Sequence, residues 1–170
     1  VRVFFNFFKD EICSIRREMG LPAEYDWEKW WKTAQRYVGL WPKWFGTDNQ
    51  GSGINVEKVG FVVDTNKTGY LPDEVIKLIS EDEKPVLINS SSSSLFINSD
   101  YFEATIKACE LLGQKAIITG RHREFLPERL PEGIHFFNHL EYGTLMPKVK
   151  AVIHHGGAGT SAQALAAGLP

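Results

Sequence analysis

The sequence has 170 residues, of which 43% are hydrophobic, enough for one ordinary domain with a buried core and a smaller appendage. It carries 19 basic and 21 acidic side chains, and the net charge of −2 gives no electrostatic case for binding nucleic acid or an anionic membrane. No apolar run approaches the roughly 20 residues of a membrane span, and the N-terminus lacks the features of a signal peptide. Cys13 and Cys109 are in no metal-ligand spacing, so buried free thiols in a reducing cytoplasm are expected.

The first 60 residues contain all five tryptophans: Trp27, Trp30, Trp31, Trp41 and Trp44. Ile12, Ile15 and Met19 recur at helical spacing before Gly20-Leu21-Pro22, which predicts a helix that ends at this turn. A second helix is predicted where apolar residues again follow one helix face, at Trp27, Trp30, Trp31, Ala34 and Val38. Packing explains this stripe better than an aromatic ligand cage, because the spacing fits one helix face.

A junction between two domains is predicted within residues 60–84. Gly46 to Gly53 is typical of a loop, and Val59 to Val63 is predicted to form a strand. The polar stretch that follows contains one short predicted helix, from Pro72 to Ser80. We therefore assign residues 1–60 to the end of a first domain with an interdomain segment, and residues 61–170 to a second domain.

The second domain alternates short apolar runs with helical patterns. Strands are predicted at 85–89, 116–119, 134–137 and 151–154. Helices are predicted from Tyr101 to Leu112 and from Ser161 to Ala167, with a helical turn at Leu145-Met146 that Pro147 ends. This alternation predicts an α/β fold with a parallel, Rossmann-like sheet and flanking helices.

The segment from His154 to Ser161 lies between a predicted strand and a predicted helix, where open α/β sheets bind ligands. Its glycines allow close backbone approach, and unpaired amides at a helix start favour a phosphate, with Thr160 or Ser161 as the helix cap. A diphosphate site, a dinucleotide fingerprint G-x-G-x-x-A at Gly157 to Ala162, and a turn without a ligand all fit this pattern. No metal site is predicted, because adjacent strand residues point to opposite faces.

The run from Ala151 to Pro170 resembles the donor-binding signature of the GT-B glycosyltransferases of the UDP-glycosyltransferase superfamily. It matches HHGG-x-GT…A-x-x-x-G-x-P almost position by position, and it is most similar to bacterial and fungal members that glycosylate sterols, lipids and natural products. Arg16 to Pro22, Leu40 to Phe45 and Val59 to Phe61 are similar to the stretches that lead into the family's second domain. His135 to Pro147 is similar to its base-holding segment.

The resemblance implies a GT-B C-terminal domain, incomplete in this chain, preceded by an aromatic-rich helical segment from the end of the acceptor domain. His155 would contact the donor diphosphate, and Gly157, Gly159 and Thr160 would offer it backbone and hydroxyl donors. Gln163 stands where many members have a glutamate that binds the ribose hydroxyls.

The resemblance assigns the nucleotide base to the segment after the third strand of this domain. His139 falls at the position of an aromatic residue that stacks on the base, and Leu140 would meet the base edge through its backbone. Glu141 replaces a frequent proline, which departs from the family pattern.

A run of five serines begins at Ser90 and Ser91, where the family has a Gly/Ser phosphate loop. Its hydroxyls would reach a phosphate or the sugar, and a solvated loop without a ligand is the alternative. Arg121-His122-Arg123, after the second strand of this domain, is interpreted as a surface charge cluster.

The resemblance implies a hexosyltransferase that moves a hexose from a nucleotide diphosphate sugar, by default a UDP-sugar, to a hydroxyl of a lipid, sterol or natural product. Inversion is implied, without a metal or other cofactor, and the protein is expected in the cytoplasm, with peripheral attachment to a membrane left open. The family's catalytic histidine belongs to the acceptor domain and its Asp-Gln pair would follow Pro170. We therefore assign no catalytic residue, and expect this fragment alone to be inactive.

Two alternatives to a glycosyltransferase stay open on the sequence. One is a Rossmann-type NAD(P)-binding module of an oxidoreductase, which accounts for only the six residues of the dinucleotide fingerprint. The other is a non-catalytic protein that binds a nucleotide sugar. The glycosyltransferase interpretation accounts for nearly the whole chain.

Overall fold

The computed structural model describes most of the chain: residues 2–23, 34–46, 55–63, 69–79, 83–90 and 98–170. The chain divides into two compact units, Val1–Gly60 and Phe61–Pro170. Within the described residues, no helix combines the length and the apolar character that a membrane span requires. Both cysteines are buried and carry free thiols, as the sequence predicts.

The first unit opens with helix α1, Arg2–Glu18, which confirms the helix predicted before Gly20-Leu21-Pro22. Gly20 has a φ of 70°, the left-handed conformation that glycine adopts at little cost at helix ends. The amides of Gly20 and Leu21 donate to the carbonyls of Arg17 and Arg16, at 3.0 and 2.8 Å. These bonds satisfy carbonyls that the helix end would otherwise leave unpaired.

A parallel pair of short strands completes the described part of this unit: β1, Tyr37–Gly39, and β2, Val56–Lys58. The helix predicted to run to Val38 is therefore wrong at its end, because the β-branched Val38 pairs with Glu57 in a strand. The tryptophans of that stripe lie outside the described residues.

The strand predicted from Val59 to Val63 is also wrong, because the strand occupies the preceding residues. The amides of Val59 and Gly60 still donate to the carbonyls of Gly39 and Trp41, but Gly60 has a φ of 104°. That left-handed conformation lies outside the extended region and ends the pairing.

The second unit contains a four-stranded, all-parallel sheet, as predicted. Its strands are β3 (Val86–Asn89), β4 (Ala116–Thr119), β5 (Ile134–Phe137) and β6 (Ala151–His154). Its helices are α2 (Asp73–Leu78), α3 (Ser99–Leu111), α4 (Tyr142–Leu145) and α5 (Ala158–Ala166). The order across the sheet is β5-β4-β3-β6, which corresponds to the first four strands of the doubly wound order 3-2-1-4-5-6.

Successive strand residues point to opposite faces of the sheet, and both faces are covered by helices. On one face, Leu87 and Ile117 pack in a core with residues of α2, α4 and α5. On the other face, Ile88 and Ile118 pack with Phe102 and further residues of α3. All five of these side chains are fully buried, so the near-continuous apolar runs of β3 and β4 reflect burial on two sides.

The connection from β5 to β6 differs in detail from the prediction. Helix α4 continues into a 3-10 turn, Met146–Lys148, so Pro147 lies inside the helical turn and does not end it. Proline is tolerated there because residues in a first turn need no amide donor.

Candidate functional site

The carboxyl ends of β3 and β6 lie side by side, since Asn89 is paired with His154 in the sheet register. From β3 the chain builds outward to β4 and β5 on one side, and then returns to add β6 on the other. Ligands of open α/β sheets bind at this reversal, outside the carboxyl ends of the strands. The topology therefore places the candidate site at the loops that follow β3 and β6.

The loop after β6 presents a helix N-terminus to this site. Gly156 has a φ of 82°, and Gly157 caps α5 without any side-chain hydrogen bond. The first amide that closes a helical bond is that of Ser161, which donates to the carbonyl of Gly157 at 2.9 Å. The amides of Ala158, Gly159 and Thr160 therefore have no partner within the helix, and they favour an anion.

This geometry corrects the predicted start of the helix. Helix α5 begins three residues before Ser161, so Thr160 and Ser161 belong to its first turn and neither caps it. The reason is that the left-handed turn at Gly156 already redirects the chain, and Gly157 takes the cap position with an ordinary φ of −59°.

The ring of His155 lies directly over Gly157. A Cβ atom at Gly157 would stand 2.4 Å from Nε2 and 3.0 Å from Cε1 of His155, closer than van der Waals contact allows. A side chain at position 157 would therefore force the exposed His155 ring to move. At Gly159, by contrast, a Cβ would meet nothing within 4 Å, so that side of the helix start is open to a ligand. His155 and Gly159 are both exposed at this helix start.

His154 has a supporting role in the same loop. Its Nδ1 accepts a hydrogen bond from the amide of Gly156 at 3.1 Å. Burial, and next the charge of His155, lower the pKa of His154, so this ring stays neutral and its Nδ1 lone pair is available near neutral pH. His155 is therefore the exposed ring of the pair, while His154 is bonded within the turn.

The residues predicted to bind the nucleotide base follow the carboxyl end of β5, on the opposite side of the sheet from β6. His139 is exposed two residues after β5, and the side chain of Leu140 is buried in the core, which leaves its backbone for any contact. Strand β5 stands three strands from β6, roughly 14 Å across the sheet. The loops that carry His139 and His155 therefore follow strands three strand spacings apart, at the same end of the sheet. Gln163 is half-buried in α5.

Of the predicted serine loop, the structure describes only its start. Ser90 directly follows β3 and is 5% exposed, and its amide donates to the carbonyl of Thr119 at 3.3 Å. Its Oγ is buried and has no hydrogen-bond partner among the described residues. Ser91 lies outside them.

Gly120→Ala tests how tightly this edge is packed. A Cβ there would lie 2.2 Å from Ser90 Oγ but 3.6 Å from Ser90 Cβ. We expect the substitution to lower the free energy of unfolding by about 1–3 kcal/mol, the usual cost of overpacking. In a Ser90→Ala background the cost should largely disappear, because the remaining contact is ordinary. Urea denaturation of the unmodified chain, the two single variants and the double variant measures the free energies of unfolding. An equal loss from Gly120→Ala in both backgrounds would contradict the contact with Ser90 Oγ.

Curated proteins with similar sequences are named as glycosyltransferases. An uncharacterized glycosyltransferase of Mycobacterium tuberculosis is 32% identical over 104 residues, which cover 58% of this chain and 24% of the relative. A sterol 3-beta-glucosyltransferase of Arabidopsis thaliana is 28% identical over 120 residues, 69% of this chain and 19% of that protein. The O-mycaminosyltylonolide 6-deoxyallosyltransferase of Streptomyces fradiae is 29% identical over 110 residues, 62% of this chain and 24% of that protein. The chain spans about a quarter of the length of the first relatives it matches.

Solved structures agree with these relatives on the fold. The glycosyltransferase of kitacinnamycin superposes with a TM-score of 0.63 at 15% identity, over 95% of this chain and 41% of that one. SsfS6 of Streptomyces sp. SF2575, solved with thymidine diphosphate, has a TM-score of 0.50 at 20% identity, over 95% of this chain and 38% of that one. No protein-family model matches the chain.

The chain is similar in sequence to proteins named as glycosyltransferases, and its fold is that of solved glycosyltransferase structures. The oxidoreductase alternative is not favoured by these comparisons.

The structure also has a buried polar cluster at the carboxyl ends of the strands that the sequence analysis missed. Tyr142 Oη lies 2.7 Å from Thr119 Oγ1 and accepts a hydrogen bond from Asn89 Nδ2. The hydroxyl of Tyr101 donates to the carbonyls of Asn89 and Ile153, at 3.2 and 3.5 Å. Polar residues at the ends of buried strands are a signal for Asn89 and Thr119, but no sequence pattern indicates that the tyrosines join them.

The ionisation of both tyrosines reflects this burial. Burial, with a smaller effect from neighbouring Tyr142, raises the pKa of Tyr101 to about 12. Burial also raises the pKa of Tyr142, although the bonds with Thr119 and Asn89 act in the opposite direction. Both hydroxyls therefore keep their protons at neutral pH and are able to donate.

The predicted surface charge cluster is only partly correct. Arg123 is half-buried, and its guanidinium donates to the backbone carbonyls of Leu126, Pro127 and Glu128 at 2.8–3.2 Å. These bonds hold the loop between β4 and β5, because one planar group satisfies three carbonyls that lack strand partners. Among the described residues, no group of three His, Cys, Asp or Glu side chains is arranged to hold a metal ion.

Proposed function

We propose that this chain is the donor-binding part of a glycosyltransferase that transfers a hexose from a nucleotide diphosphate sugar, with a UDP-sugar as the donor. The observation that carries the proposal is the start of α5, where three amides without a partner in the helix and the exposed His155 lie at the reversal point of the sheet. A diphosphate leaving group carries two or more negative charges. Donors already fixed in place stabilise such charge without reorganising during the reaction.

The proposed roles follow the positions of the residues. The diphosphate is bound by the His155 ring, by the amides of Gly159 and Thr160, and by the backbone of Gly157. His139 and the backbone of Leu140 bind the base, and Gln163 binds the ribose. Ser90 and Ser91 belong to the second loop at this edge, beside a phosphate or the sugar.

The acceptor is proposed to be a hydroxyl of a lipid, sterol or natural product. Support comes from two relatives, whose names give a sterol and a tylonolide derivative as their acceptors. We further propose that transfer inverts the anomeric centre and needs no metal, since the helix start and His155 supply the charge stabilisation that a cation would otherwise provide. No residue of this chain is assigned as the catalytic base that would deprotonate the acceptor hydroxyl.

Calorimetric titration of the chain with UDP, and separately with NAD, tests the proposal. We expect UDP to bind, as thymidine diphosphate does in the structure of SsfS6, and NAD to bind at least tenfold more weakly, which corresponds to about 1.4 kcal/mol. NAD binding without UDP binding would indicate a dinucleotide module instead. Inorganic pyrophosphate in the same titration separates recognition of the diphosphate from recognition of the nucleoside.

A further inference from the structure

The polar cluster at the sheet edge joins three separate parts of the chain. Asn89 and Thr119 are the last residues of adjacent strands, are paired in register, and are both buried. A buried amide and a buried hydroxyl need hydrogen-bond partners, and the weak 3.4 Å contact between them is not sufficient for either. The hydroxyl of Tyr142 forms hydrogen bonds with both Asn89 and Thr119. These bonds attach Tyr142, which is distant in sequence, to the carboxyl ends of β3 and β4.

The same tyrosine directly follows the segment proposed to bind the base. Tyr142 begins α4, and His139, Leu140 and Glu141 come immediately before it. The side chain of Leu140 is buried in the core on one face of the sheet, while Tyr142 is tied to the strand ends. Two fixed points two residues apart leave the backbone between them little freedom, and the exposed His139 stands next to the first of them.

We propose that Tyr142 is a positioning residue, whose hydrogen bonds with Asn89 and Thr119 hold residues 139–141 so that the His139 ring and the Leu140 backbone meet the nucleotide base. This inference rests on the proposed function, since it assigns the cluster to the base half of the donor site. Tyr142 is therefore expected to affect binding of the nucleotide base and not binding of the diphosphate, which depends on the loop after β6.

Tyr142→Phe removes the hydroxyl and keeps the ring, and so tests the bond with little change in packing. We expect the affinity for UDP to fall about tenfold, within the range of one net hydrogen bond. The affinity for inorganic pyrophosphate, measured by competition, should stay unchanged because that ligand has no base. A cluster that only stabilised the fold would weaken both ligands alike or neither.

Thr144→Val is the matched control on the same helix. Thr144 Oγ1 donates to the carbonyl of Gly69 at 3.2 Å, and Gly69 is not a member of the cluster, so we expect both affinities to stay unchanged in this variant. Thr119→Val removes one of the two hydrogen bonds of Tyr142 and should weaken UDP binding in the same direction but by less. The double variant should show little loss beyond that of Tyr142→Phe, because that change already removes the bond with Thr119.

The His139 ring gives a readout that needs no ligand. In ¹H–¹³C NMR spectra of the whole chain, the ring signals of His139 should shift or broaden in Tyr142→Phe and stay in place in Thr144→Val. Unchanged His139 signals, or equal losses for UDP and pyrophosphate, would overturn the positioning role. Absence of UDP binding by the unmodified chain would instead refute the proposed function, and with it the assignment of the cluster to a base.

Discussion

Replacing His155 with alanine is expected to weaken UDP binding by about 1.5–3 kcal/mol, a roughly 10- to 150-fold rise in Kd. The imidazole is exposed, adjoins the open amides of α5, and is the histidine of the pair that is free of the loop's internal bonding. A hydrogen bond to a charged phosphate is stronger than one between neutral groups. Isothermal titration calorimetry measures the change directly.

Two further variants make this result specific. His135→Ala removes an exposed histidine from β5, three strands away from β6, and should leave Kd unchanged. Gly157→Ala should weaken UDP although His155 is still present, because its Cβ would displace the ring from its place over the backbone. If His155→Ala binds UDP as tightly as the unmodified chain, the diphosphate site is not at this loop.

Phe102→Ala is expected to lower the free energy of unfolding by about 3–5 kcal/mol, the usual cost of removing a buried aromatic side chain. Phe102 is 0% exposed and packs in the core between α3 and the sheet, with Ile88 and Ile118 as neighbours in that cluster. Because interiors are close-packed, the cavity is only partly refilled. Guanidinium denaturation followed by circular dichroism measures the loss.

Leu111→Ala is the matched control, since Leu111 belongs to the same helix but is 76% exposed. Its effect on the free energy of unfolding should stay within about 0.5 kcal/mol, as is usual for surface positions. A similar loss in both variants would mean that α3 does not cover the sheet as described.

The parts of the fold that the sequence predicted well are those with a strong local signal. Strands β3 to β6 are apolar, short and bounded by turn residues, and each was predicted within one residue of its observed limits. The glycine-rich loop after β6 also has a local signal, because a left-handed turn and a close approach of side chain to backbone both favour glycine.

The errors arise where pairing partners decide the structure. Val38 fits a helical stripe by spacing, yet it forms a strand because residues 56–58 are available to pair with it. Tyr142 carries no pattern at all, and only the tertiary fold brings its hydroxyl to Asn89 and Thr119. Contacts between distant parts of a chain depend on topology, which propensity and periodicity do not contain.

The order of the strands has a consequence for how this unit reaches its native state. Strand β3 precedes both of its neighbours in sequence, and Val86 pairs with Ala151 only after the whole β4–β5 segment has been traversed. Closing that long loop costs entropy before its contacts form, so this pairing is intrinsically slow. Until β6 has been synthesised and has paired, one side of β3 exposes unpaired backbone groups and apolar side chains. During synthesis on the ribosome, this exposed strand would have to be protected from association with other chains.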